Sequence, residues 1–128
     1  MSTLHASLDL PPVAASVPTA RRIVVDLLRT WSVRHDVDDA ALLVSELVAN
    51  VVDHVRGAAS FTLELTVAGD WLRLSVADGS AIRPVVRELE DGAVRGRGMR
   101  LVASIADRWG AEEHEGGKRV WLELRPGA

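Results

Sequence analysis

Apolar residues at Ala20, Ile23, Val24, Leu27, Leu28 and Trp31 recur at steps of three and four, the spacing that gathers side chains on one helical face. A first amphipathic helix is predicted from Pro18 to about Arg34, with Ser16 as N-cap and Pro18 in the first turn. Asp36 and Asp38 offer a second N-cap and acidic first-turn residues that suit the helix dipole. A second helix then runs from about Ala40 to about Val55, where Arg56 and Gly57 end it.

The period changes from three and four to two at Phe61. Phe61, Leu63, Leu65 and Val67 alternate with polar residues, and Leu72, Leu74 and Val76 do so again after Ala68, Gly69 and Asp70, which reads as an antiparallel hairpin. Alternation at Leu4, Ala6, Leu8 and Leu10 allows one short strand before Pro11 and Pro12. Between Asp78 and Arg97 the chain loses periodicity, and so long a loop in a compact domain reads as a flap over a site. Met99 to Ala106 is helical, and Gly116 and Gly117 join two closing strands, the last turning Val120, Leu122 and Leu124 inward. Short connections and one-sided strands predict an α+β fold: a two-layer sandwich with a mixed, mostly antiparallel sheet and helices on one face.

With 128 residues, one domain is expected, from residue 18 to residue 128 behind an N-terminal segment of 17. No apolar run reaches the roughly 20 residues that cross a bilayer, there is no charged-then-apolar leader, and there are no cysteines; cytoplasmic residence without membrane contact is expected. A net charge of -3 argues against nucleic acid as a direct partner. Fourteen arginines against one lysine read as the coding bias of a GC-rich genome rather than a demand for guanidinium chemistry.

Three features could carry chemistry. Glu46, Asn50 and His54 are spaced by four, so they form a polar stripe on the second helix. The stripe is either the solvent face of an amphipathic helix or a pocket wall; the apolar residues around it, Leu42, Leu43, Leu47 and Val51 among them, favour a wall. Asp78 closes a strand ahead of Gly79 and Ser80, as a turn aspartate or as a carboxylate accepting from an exocyclic amine. Gly96, Arg97, Gly98 and Met99 precede a helix, either as a flexible loop end or as free N–H groups converging on phosphate.

In this order, the three resemble the N box, G1 box and G2 box of the ATPase fold shared by histidine kinases, gyrase and MutL, the GHKL or Bergerat fold. The segments Ser45-Glu-Leu-Val-Ala-Asn50, Gly96-Arg-Gly-Met-Arg-Leu-Val102 and Gly117-Lys-Arg-Val-Trp-Leu-Glu123 look most like the small single-domain anti-sigma-factor serine/threonine kinases. The resemblance implies ATP and Mg2+ as cofactors. It implies Glu46 as general base for a serine hydroxyl, Asn50 as magnesium ligand, Asp78 with Ser80 at the adenine, and Gly96, Arg97, Gly98 and Met99 around the phosphates. His54 falls where relatives line the nucleotide, or it is a packed helix-end histidine.

The implied partners are a STAS-type anti-anti-sigma protein, a sigma factor, or both, and exposed apolar residues on the first helix would support a homodimer. The chain departs from the pattern twice. Glycine follows Asp78 one place early, and Asp53 stands where relatives often have a basic residue; Arg95, Arg97 or Arg100 would compensate for that charge. The alternative is a catalytically weak or inactive nucleotide-binding module that regulates by binding a protein, and a further one is an interaction domain that binds no nucleotide.

Overall fold

The computed structural model describes residues 3–54, 60–78, 101–114 and 117–127, without the side chains of His54 and His114. In chain order these hold β1 (Leu4–Leu10), α1 (Ser16–Thr30), α2 (Val37–His54), β2 (Phe61–Ala68), β3 (Trp71–Asp78), β4 (Arg108–His114) and β5 (Gly117–Leu124), with a helical stretch at 101–105 before β4. Among the described residues the elements come in the predicted order, and the flap expected between Asp78 and Arg97 lies outside them. The sheet runs β1-β2-β3-β5-β4 and every described pairing is antiparallel, so the mixed sheet allowed above resolves to an antiparallel one.

Both ends of α1 differ from expectation, for local reasons. Residues 11–15 already turn, so Ser16 and Val17 donate their N–H groups to Val13 and Ala14 and need no side-chain cap. Ser16 therefore lies inside the helix, its hydroxyl donating to the Pro11 carbonyl at 2.6 Å, and the cap position is Ala15. At the other end Ser32 takes a left-handed φ of 54°, Ser32 N–H donates to Arg29 O and Val33 N–H to Leu28 O. That pair of bonds is a Schellman closure with serine where glycine is usual, and it stops α1 at Thr30 rather than near Arg34. The periodicity overran because Trp31 and Val33 still pack against the core.

The start of α2 is as expected. Asp36 Oδ1 accepts the Asp39 N–H at 3.0 Å, and Asp38 and Asp39 place carboxylates in the first turn. Between β2 and β3 the two-residue turn needs a positive φ at its first position, which Gly69 supplies at 59°.

Register fixes the faces. Phe61, Leu63, Leu65, Leu72, Leu74, Val76, Leu122 and Leu124 share the helix-facing side of the sheet and are buried against Ala20, Val24 and Leu28 of α1 and Leu43, Val44, Leu47, Val48 and Val51 of α2. Each such side chain withdrawn from water stabilises the fold by about 1.5–3 kcal/mol before chain entropy is set against it. On the other face Glu64, Arg119, Glu112, Arg73 and Glu123 alternate in sign across the strands, with contacts of 3.2 to 3.9 Å. Trp121 lies flat there across β4, which only glycine at 110 allows: a Cβ would sit 2.9 Å from the indole.

Candidate functional site

Chain direction places the candidate residues. Helix α2 leaves the end of the sheet where His35 Nε2 lies 2.9 Å from the Asp70 carbonyl, and seven residues after His54 the chain reaches Phe61, paired with Asp78. Eighteen helical residues span about 27 Å and eight strand residues about 26 Å, so α2 runs the length of β3 and in its direction. Asn50 and Asp78 therefore share one end of the two-layer sandwich, with Glu46 one turn behind Asn50. Asn50 and Asp78 each hold polar interactions of their own.

The stripe is more open than a pocket wall requires. Glu46 and Asn50 are half-buried, Asp53 beside them is exposed, and Leu42, one turn before Glu46, is 41 % exposed. The buried residues of α2 occupy the opposite side of the helix. An open, half-buried carboxylate and amide on one face can meet a substrate arriving from solvent. Ser45, next to Glu46, is buried and turns its hydroxyl back to the Ala41 carbonyl at 2.8 Å, so it belongs to the helix.

Asp78 ends β3 on the helix-facing side, paired with Phe61 on one strand and Lys118 on the other. Strand parity sets Lys118 on the same inward row as Val120, Leu122 and Leu124, and pairs it across β4 with Glu113. Burial pushes the Lys118 amine down to about 8, while the nearby Asp78 carboxylate opposes the shift. Lys118 was not singled out from the sequence. The signal was present: a lysine on the apolar parity of a strand must be there for a charge partner or a ligand.

The side chain of His54, and Gly79, Ser80, Gly96, Arg97, Gly98 and Met99, lie outside the described residues. Among the described residues no group of three or more His, Cys, Asp or Glu side chains could hold a metal. Mg2+ keeps most of its waters and takes one or two protein oxygens beside substrate phosphates. Asn50, with a neutral amide oxygen on the open face, is such a donor.

A two-layer sandwich whose second helix carries a carboxylate and an amide one turn apart, beside the aspartate that ends its central strand, is built as a nucleotide-binding domain. The model of the histidine kinase-like ATPase domain matches residues 10–124, and the chain belongs to that family. Membership implies ATP as ligand, usually with Mg2+, and a regulatory ATP-binding role. No curated protein matches the chain. Among the described helices none is long and apolar enough to cross a membrane.

Proposed function

We propose that the protein is a Mg-ATP-dependent protein serine/threonine kinase of the anti-sigma-factor type, acting on a STAS-type anti-anti-sigma partner and able to hold a sigma factor. The observation that supports it is the placement of Glu46 one turn from Asn50 on an open face of α2, at the Asp78 end of the sheet. Asn50 would hold the magnesium, which when bound would neutralise charge developing on the transferred group. Glu46 accepts the proton of the attacking hydroxyl as its oxygen bonds to the γ-phosphorus; the bond to the bridging oxygen breaks and ADP leaves. Asp78 accepts from the adenine amine. Lys118, beside it on the same row, orients that carboxylate.

The exposed Asp53 on the same face favours a second reading, a module that binds nucleotide without transfer, because its negative charge would oppose a triphosphate bound at that face. Transfer from γ-labelled ATP to the partner decides between them. Glu46→Ala should retain nucleotide and lose transfer by 100-fold or more, on the order of what positioned proton acceptors contribute. Transfer undiminished in Glu46→Ala would contradict the kinase mechanism, and nucleotide binding without transfer in the parent protein would establish the module.

A further inference from the structure

At the opposite end of the sheet from Asp78, four distant segments converge on a cleft of about 480 Å³ whose lining includes Arg34, Asp70, Trp71, Arg108, Arg125 and Gly127. Three arginines and one aspartate are among its lining residues, on a chain whose net charge is -3. Arg108 lies 3.8 Å and Arg125 4.9 Å from the centroid of the Trp71 ring. Stacking on an indole fixes a guanidinium by its face and leaves its N–H edge available. Arg108 is already engaged with Glu123 at 3.6 Å, whereas among the described residues no carboxylate pairs with Arg34 or Arg125.

The backbone around the cleft is fastened. Gly127 N–H donates to Arg34 O at 3.1 Å, Arg125 N–H to Asp107 Oδ2 at 2.8 Å, and Asp107 N–H to Glu123 O at 3.0 Å. His35 is buried and holds the Asp70 carbonyl through Nε2, which must carry the proton because a carbonyl only accepts. These bonds hold the α1–α2 loop, the β2–β3 turn, the start of β4 and the tail after β5 in one arrangement, and stacking on Trp71 places the guanidiniums of Arg108 and Arg125.

We infer that this cleft docks an acidic segment of a partner protein, its carboxylates lying across Arg34, Arg125 and Arg108. The choice of occupant follows from exposure and charge. Arg34 and Arg125 are exposed and the Arg108 side chain is 54 % exposed, so each contact with a small anion is screened and weak; a ligand must present several carboxylates at once to gain from all three. A nucleic acid is disfavoured, since its long phosphate backbone would run on from the cleft over a net-negative surface. A short acidic peptide matches the patch without meeting that surface.

The test is fluorescence anisotropy of labelled hexaglutamate titrated with the full chain at 20 and 150 mM salt. Saturable binding is expected at low salt, weakened several-fold at the higher salt, and weakened at least tenfold by Arg34→Glu/Arg125→Glu. The control Arg21→Glu, on an exposed α1 site away from the cleft, should bind as the parent does, and melting curves of all three proteins should coincide. No saturable binding, equal loss in the control, or tighter binding of inorganic phosphate or of a dT12 strand would each overturn the assignment. Should the double reversal lower the melting temperature, Arg34→Gln alone, which touches no stacked pair, must still weaken the peptide or the inference fails.

Discussion

Strand β3 begins at Trp71 beneath the guanidiniums of Arg108 and Arg125 and ends, about 23 Å on, at Asp78 beside Lys118, with Asn50 of α2 at that same end. The basic end is assembled from residues at positions 34, 71, 108 and 125. The other end draws Glu46, Asn50 and Asp53 from a single helix and Asp78 from the strand that helix covers. One end gathers three arginines; the other holds a glutamate, an asparagine and an aspartate. A small sheet can thus separate two chemistries by strand length alone, because charges more than two Debye lengths apart hardly influence each other at physiological salt.

The largest effect on this comparison should come from Phe61→Ala. Phe61 is 1 % exposed, opposite Asp78 in the register, and its loss should cost about 3–5 kcal/mol, read as a fall in the denaturation midpoint at unchanged slope. In a domain stabilised by roughly 5–15 kcal/mol that is enough to loosen the Asp78 end. A cost below 1 kcal/mol would mean that this end is not built on the core.

A smaller and more selective effect is expected from Lys118→Met. The folded amine is pushed down to about 8 from 10.5, so between these values the unfolded chain binds more protons than the folded one and stability rises with pH. Below pH 8 both states are protonated and the full penalty of burying the charge is present. Lys118→Met should therefore be the more stable protein at pH 7 and should lack the rise between pH 8 and 10.5. Denaturant melts across that range check it, and a parent curve flat there would remove Lys118 from the half-buried row beside Asp78.

The two ends also differ in how far the sequence disclosed them. Spacing by four named Glu46 and Asn50, and alternation named Asp78 as the end of a strand, because periodicity along one element is a local property of the chain. Their exposure was not legible, since it depends on how far the first helix and the sheet cover α2, and Leu42 proved open where a wall was expected. Ser16 and the end of α1 were misjudged for a different, local reason: backbone turns at 11–15 and a left-handed Ser32 replaced the expected side-chain signals. The arginine cleft has no linear pattern at all. Arginine abundance was set aside as coding bias, and only the fold shows that three of the fourteen meet around one tryptophan.

The central claim is that the end of α2 beside Asp78 holds Mg-ATP through Asn50, and thermal melting with ATP and Mg2+, in parent and Asn50→Ala, tests it most directly. At ATP about 100-fold above its dissociation constant, binding adds about 2.7 kcal/mol, and the parent midpoint should rise by roughly 5–10 °C with magnesium and far less without it. Asn50→Ala should lose the magnesium-dependent part, while Arg34→Glu/Arg125→Glu should keep the whole of it. A parent protein unmoved by millimolar ATP and magnesium, or an Asn50→Ala protein that rises as much as the parent, would contradict the account.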